Sequence, residues 1–545
     1  MINEHTNFSS LKKITRLFFV FFCAMIPSFI AMLIYSDLKW SLGRNLIESV
    51  IFSVLIIWVF SLLKNSRFKS IMGYVFFSFF TFCIYVEAVY FLIYQTYFSP
   101  SSIFVFLDSN PSEASEFLAF YFSRPLVILT LSTSVVFGLC LRQLSLMSKQ
   151  FFTIKKSSVF YSFLVMGTLL SFLKFSKYID YNFPYLFVRS FVLYQMESKE
   201  LDVYKKNKNG SFKNLNKKSL GAKEISVLVL GESTTKSHLG IYGYQRPTTP
   251  LLSSQKNDLA LFQDVISPNT YSVACVTKLL TLGNYETPKK TSQGSVIQLA
   301  NAAQYETFWL SNQRPLGPYE SLITKLSFSA DHSKFITTAI AGHSKTLDAN
   351  LLSDLDAVLN ESESDKIFIF LHLIGTHHNY EDRYPPSFNI FKGTANSNFE
   401  SASANEKINH YDNAVLYNDF ILNAVIERVK SEDANSFVLY LSDHGEELYK
   451  DLNMAGHNED TPTNSMYEIP FILWQSNKFK DRRKINLDLN KRYMTDDLFH
   501  SLADLMAIDS DEVNYQRSIF NDNFKNRPRI ILDSIDYDQS FKNKR

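Results

Sequence analysis

The sequence predicts a five-helix transmembrane domain followed by an α/β domain built on a mostly parallel sheet. Three observations lead there. Charge is sparse as far as Phe175, with 14 Lys and Arg against 7 Asp and Glu, and dense beyond it, with 41 against 46. The sparse part carries five apolar stretches free of Lys and Arg. The dense part carries short Val/Ile/Leu/Phe runs that end in polar residues. The two parts are therefore suited to different solvents. Across the 545 residues, 15% aromatic content, 17 Gly and 4 Cys exclude disorder, a collagen-like fibre and a disulfide scaffold.

The apolar stretches run over 17–35, 45–63, 71–95, 126–141 and 157–173. A hydrocarbon core of about 30 Å needs about 20 residues to cross. The fourth stretch is short, and reaches further if Arg142 snorkels beside Leu144 and Leu146. No small-residue cleavage site follows the first, and four more spans do, so it is an anchor rather than a signal peptide. Basic residues set the orientation. Lys12, Lys13, Arg16, Lys64, Arg67, Lys69, Arg142, Lys149, Lys155 and Lys156 fall on one side; Lys39, Arg44 and Arg124 fall on the other. The N-terminus is expected in the cytoplasm, with everything after residue 175 outside it. Glu48 and Glu87 lie inside spans, near the outer face. They can pair with a neighbouring helix or reach the interface, or they can meet a cationic lipid headgroup.

Residues 176–200 mix aromatics (Tyr178, Tyr181, Phe183, Tyr185, Phe187) with scattered charge, which suits a segment lying in the membrane interface. Residues 205–223 hold seven Lys among Asn, Ser and Gly, and read as a solvated basic tether. The division is thus 1–175 membrane, 176–223 interfacial segment and linker, and 224–545 soluble domain.

In the soluble part, Ile225–Leu230, Phe335–Ala341, Ile367–Ile374, Phe437–Leu441 and Ile469–Trp474 read as strands buried on both faces. The mixed segments between them supply crossover helices. In such folds ligands bind beyond the carboxyl ends of the strands. Those ends carry Gly231-Glu232-Ser233, Gly375-Thr376-His377-His378 and Ser442-Asp443-His444-Gly445-Glu446. Ser267-Pro268-Asn269-Thr270-Tyr271-Ser272 offers hydroxyls, and His457 follows in Ala455-Gly456-His457. Carboxylates and imidazoles are zinc ligands. Glu232, Asp443 and His444 supply three, leaving a position for a hydroxyl. An alcohol beside a dication loses its proton easily and becomes a nucleophile near neutral pH.

With Gly243-Tyr244-Gln245-Arg246-Pro247-Thr248-Thr249-Pro250, Arg383-Tyr384-Pro385 and Tyr411-Asp412-Asn413-Ala414 added, the set resembles the phosphoethanolamine transferases of Gram-negative inner membranes. Those enzymes modify lipid A, the lipopolysaccharide core or periplasmic glucans. The resemblance implies an alkaline-phosphatase/sulfatase-like catalytic domain in the periplasm. It implies Zn2+ held by Glu232, Asp443, His444 and the nucleophile, and phosphatidylethanolamine as donor. It implies lipopolysaccharide or glucan as acceptor, and no nucleic-acid partner. His377 and His457 match histidines that handle the substrate phosphate or a second zinc. The family nucleophile is usually a threonine; its place here falls on Ser272, with Thr270 two residues earlier as the alternative. Cys275 is the one cysteine outside the spans, so the disulfides of the lipid A-modifying members are absent, as in the core- or glucan-modifying branch.

Two enzymatic rivals and one other class are weighed. A phosphoglycerol transferase of the lipoteichoic acid synthase type shares five spans, but the Gly243–Pro250 motif argues against it. A type I sulfatase needs Cys/Ser-x-Pro-x-Arg, which Cys275-Val276-Thr277-Lys278 is not. A non-catalytic membrane sensor with a hydrolase-like domain is opposed by the intact Glu232, Asp443 and His444.

Overall fold

The computed structural model describes every residue except Met1, 36–38, 95–96, 99–101, 104–105, 108–110, 148–153, 155–157, 314–321, 337–345 and 542–545. It divides into two compact units. One is Met1–Leu107 with Tyr121–Tyr194; the other is Asp108–Phe120 with Gln195–Arg545.

The first unit is helical. Helices α1 (Ile2–Tyr35), α2 (Lys39–Leu62) and α3 (Ser66–Tyr94) come first. Helix α4 (Pro111–Tyr121) follows in the chain but belongs to the second unit as far as Phe120. Helices α5 (Arg124–Met147) and α6 (Val159–Phe175) complete the apolar set, and α7 (Phe183–Glu200) leads out of it. Four helices, α1, α2, α3 and α5, are long and apolar enough to cross a membrane. The fifth expected span forms α6, a shorter apolar helix of 17 residues. Phe21 packs edge-on against Phe77 at 5.2 Å between ring centroids, among buried Val20, Phe60, Phe80 and Ile84. Ile34, Leu131 and Phe160 point outward instead. So much exposed apolar surface suits lipid, not water.

The second unit is built on a seven-stranded sheet. Its strands are β1 (Glu224–Gly231), β2 (Leu259–Leu261), β3 (Glu306–Ser311), β4 (His332–Phe335), β5 (Lys366–His372), β6 (Asn435–Ser442) and β7 (Phe471–Gln475). The order is β2-β7-β6-β1-β5-β3-β4. Strands β6, β1, β5, β3 and β4 run parallel, whereas β7 is antiparallel to both β6 and β2. Val227 and Val229 are fully buried on one face of β1, and Leu228 and Leu230 on the other. That is why the strand reads as a continuous apolar run. In register, Gly231 stands opposite Ser442, and Leu230 opposite His372. The three motif-bearing turns therefore leave the sheet side by side.

Two expectations are corrected here. The run Phe335–Ala341 contributes only its first residue to β4, and 337–341 lie outside the described residues. The 205–223 segment, expected to be a solvated tether, is exposed over most of its length but is pinned to the second unit. Asn216–Lys217 pair antiparallel with Ile508–Asp509. Lys217 donates to Glu224 at 2.8 Å with its side chain 7% exposed, and Leu220 is buried. Strand β3, which no apolar run announced, begins with the polar pair Glu306-Thr307.

Candidate metal centre

The turn after β1 puts Ser233 at φ 56°, a left-handed conformation that costs energy for a residue with a Cβ. Its neighbours hold it there. Helix α8 (Ser272–Leu280) and the 30-residue α9 (Ala402–Ser431) flank the site. From α9, the Tyr411 hydroxyl donates to Ser233 O at 2.9 Å and accepts from Thr235 N at 2.8 Å. Ser233 N donates to Asp443 Oδ1 (3.1 Å), and Thr234 N to Ser442 Oγ (2.8 Å). The turns after β1 and β6 are thus bolted together. Gly375 backs onto the same place at φ 52°, where a Cβ would lie 2.7 Å from Glu232 N.

Glu232 is the centre of the arrangement. Its carboxylate accepts from Ser272 Oγ at 2.9 and 3.1 Å, from Ser233 Oγ at 2.8 Å and from Gln313 Nε2 at 2.9 Å. His444 Nε2 lies 3.2 Å from Glu232 Oε1 and 3.5 Å from Asp443 Oδ2. All three residues are buried, and one ligand atom from each falls within 4.8 Å of the others. Asp443 Oδ2 and His444 Nε2 make no hydrogen bond. Buried charge-bearing atoms left open are costly unless something else binds them. Two carboxylates and an imidazole, with open atoms and a hydroxyl alongside, fit a divalent ion of the zinc type.

The protonation pattern reflects the crowding. Burial and the neighbouring Glu232 charge push Asp443 up to about 7. Burial disfavours the charged form of His444, but Asp443 and Glu232 outweigh it and lift the imidazole to about 10. Glu232 is held well below the carboxylate range: burial opposes this, and the His444 contact overcomes it.

The other sequence candidates gather in two adjacent groups. His457 stands beside His444 with ring centroids 4.2 Å apart, and its Nδ1 is 2.7 Å from Glu446 Oε2. Glu446 in turn accepts from the Tyr380 hydroxyl at 2.5 Å. His377 lies against His378 with ring centroids 3.9 Å apart and the rings tilted by 41°, and desolvation holds it down to about 3. His377, His378 and Glu116 of α4 form a further set able to hold an ion, with Glu116 also paired to Arg383. Ser272, at the first position of α8, points its Oγ at Glu232. It does not cap the helix: Tyr271 occupies the cap position, and Ser272 Oγ bonds Glu232 instead. Thr270 is fully buried and its Oγ1 has no partner. Cys275 is a free, buried thiol on α8. Gln313, Glu446 and Glu116 escaped the sequence reading as site residues. Gln313 had no available signal, because the strand it follows, β3, was itself unannounced by the sequence.

Comparison with known proteins accords with this geometry. Residues 225–508 match the sulfatase family model. The chain is 31% identical over 481 residues to the phosphoethanolamine transferase EptC of Escherichia coli, covering 82% of this chain and 83% of that one. The chain belongs to the phosphoethanolamine transferase family. Identity and coverage are the same for the phosphoethanolamine transferase CptA of Salmonella typhimurium. The crystal structure of the periplasmic domain of the E. coli EptC in complex with Zn is 33% identical, with TM-score 0.57, over 60% of this chain and 93% of that one. The integral membrane protein EptA of Neisseria meningitidis shares the fold at 19% identity, with TM-score 0.60, over 91% of this chain and 97% of that one. Among the described residues, four helices long and apolar enough to cross a membrane and a shorter apolar one, with a sulfatase-like α/β domain after them, are thus the architecture of this family member.

Proposed function

We propose that the protein transfers phosphoethanolamine from phosphatidylethanolamine to lipopolysaccharide (core or lipid A) or a periplasmic glucan, through a covalent intermediate on Ser272. The observation that carries this reading is the Ser272 hydroxyl bonded to Glu232 within the buried Glu232–Asp443–His444 set. A zinc ion held by those three residues and Ser272 would lower the hydroxyl's pKa and offset charge on the phosphate. The Zn complex of the E. coli relative supports that choice of metal.

The chain's own residues do the rest. Ser272 sits at the start of α8, where the backbone N–H groups and helix dipole favour negative charge. Its Oγ attacks phosphorus; the Oγ–P bond forms and the bond to the diacylglycerol oxygen breaks. That oxygen needs a proton to leave well. His457 supplies it, because its Nδ1 is engaged by Glu446 and its Nε2 remains for the leaving group. His377, being neutral, holds the phosphate rather than giving a proton. An acceptor hydroxyl or phosphate then attacks the phosphorus, and the P–Oγ bond breaks to restore Ser272; a hydroxyl acceptor gives its proton to His457, which lost one in the first step. Thr270 has no such contacts, so Ser272 is the nucleophile of this reading.

The membrane part is read as five spans ending near residue 175, with α6 as the fifth. At about 1.5 Å per residue its 17 residues cover about 25 Å, a mismatch that local thinning accommodates. The N-terminus is cytoplasmic, and a catalytic domain from about residue 224 faces the periplasm of a Gram-negative inner membrane. That location gives access to donor lipid in the outer leaflet. Mass spectrometry of lipid A, core oligosaccharide and glucans, with and without the protein, tests the reading. A phosphoethanolamine mass increment on one acceptor is expected; no increment on any of them contradicts it.

A further inference from the structure

Two buried carboxylates in the first unit have no part in the transfer chemistry. Glu48 on α2 and Glu87 on α3 are 1% and 3% exposed. Among the described residues neither pairs with a Lys or Arg; their partners are the start of α7 and side chains of α2. Asn182 immediately precedes α7. Its Nδ2 donates to Glu48 Oε1 at 2.6 Å, and its Oδ1 accepts from Tyr185 N at 2.9 Å. Phe183 N donates to Glu87 Oε1 at 3.2 Å. The second Glu87 oxygen accepts from Asn45 Nδ2 at 3.0 Å.

The first N–H groups of a helix have no partner within it. In α7 each is accounted for. Phe183 N–H goes to Glu87; Pro184 has none to give; Tyr185 N–H goes to the Asn182 side chain; Leu186 N–H closes on Asn182 O at 2.9 Å. Glu87 also stands at the positive end of the helix dipole. A neutral Ser or Asn would cap the same helix with less cost, because a carboxylate among apolar helices is expensive. A carboxyl group instead offers two acceptor oxygens on a long side chain, so Glu87 reaches both Phe183 N and Asn45 Nδ2. Two helices, α2 and α3, each commit a carboxyl group to the same helix start.

We propose that Glu48 and Glu87 are positioning residues that clamp the beginning of α7, and so fix the direction in which the chain leaves the membrane unit. Helix α7 runs unbroken for 18 residues, in the first unit through Tyr194 and in the catalytic unit from Gln195. Loosening its start therefore loosens one of the three places where the chain passes from one unit to the other. The consequence for activity rests on the proposed use of a bilayer lipid as donor.

The test uses the full chain in nanodiscs containing phosphatidylethanolamine, with Glu48→Leu, Glu87→Leu and, as the conservative variant, Glu87→Gln. Hydrogen exchange at residues 183–186 should rise about tenfold or more in the Leu variants, with α6 unchanged. Transfer from the bilayer donor should fall about tenfold or more, since small misplacements carry that size of penalty. Hydrolysis of the water-soluble diester bis-p-nitrophenyl phosphate should stay within about twofold of the unaltered protein. Glu87→Gln keeps an acceptor oxygen and should restore most of both readouts. Unchanged exchange, unchanged transfer, or an equal loss on both substrates would overturn the inference. If the unaltered protein fails to use phosphatidylethanolamine at all, the donor reading falls, while the exchange measurement still decides the clamp.

Discussion

Asp443 is the residue whose removal should separate metal binding from everything else. It offers one open oxygen to the site and holds the Ser233 turn with the other. Asp443→Ala should empty the site of metal and lower transfer by about a thousandfold or more, judged from electrostatic and metal contributions to catalysis. Metal content by elemental analysis and transfer rate check this together; an active, metal-free Asp443→Ala protein would contradict it. At this scale the sequence was informative where a motif ended a strand. Glu232, Asp443 and His444 could be named because polar residues end apolar runs, whereas Ser272 was placed by the family resemblance, with Thr270 as the alternative. Gln313 and Glu446 were not, since a Gln after a strand or a Glu after Gly445 is common on any surface. Only their contacts with Glu232 and His457 give them meaning. His377 could be named from the sequence, but the desolvation that lowers its pKa comes from tertiary neighbours that no local pattern encodes.

The turns that present these residues depend on one another. Gly375, at φ 52°, touches the backbone of Glu232, and a Cβ there would meet Glu232 N at 2.7 Å and its O at 2.8 Å. Gly375→Ala adds both a left-handed strain and a collision with main chain that cannot swing aside. It should cost about 2–3 kcal/mol of stability and weaken metal binding, because what must shift is a ligand's own backbone. Thermal unfolding and metal titration of the variant are the measurements; unaltered affinity would show that the close approach does not constrain Glu232. Strands β1, β5, β6 and β7 were legible as near-continuous apolar runs buried on both faces. Strand β3 was hidden by its polar beginning, although Phe308, Trp309 and Leu310 lie in the sheet. The lysine-rich 205–223 segment misled for the opposite reason. Composition suggested a tether, but strand pairing with Ile508–Asp509 and the buried Lys217–Glu224 pair depend on partners almost 300 residues away or on tertiary burial.

For the whole molecule, the charge partition suggested two bodies divided near residue 175, whereas the two compact units part at Tyr194/Gln195. What it could not foretell is that α4, lying in sequence between two apolar helices, belongs with the catalytic unit, where Phe120 meets Tyr380 at 5.2 Å. The catalytic unit should also be acid-sensitive. His372 and His500 are buried, and desolvation lowers both to about 4 from an ordinary 6.5. His500 Nδ1 accepts from Asn514 N at 3.2 Å, which requires the neutral ring. A depressed folded-state value means that the unfolded chain takes up these protons first. The stabilisation is therefore fully present above about pH 6.5 and is lost as the pH falls towards about 4, up to about 3 kcal/mol for each histidine. Calorimetric melting of the full chain across that window should show the decline, with a shallower slope in His500→Gln; an equal slope would exclude His500 as a contributor.

The central claim is that Ser272 carries the phosphoethanolamine group. It is tested most directly by trapping the covalent intermediate on the full chain with phosphatidylethanolamine and no acceptor, then mapping the modified peptide by mass spectrometry. The proposed chemistry requires the adduct on Ser272, its loss in Ser272→Ala, and its persistence in Thr270→Ala. An adduct on Thr270, or one that survives Ser272→Ala, would contradict it.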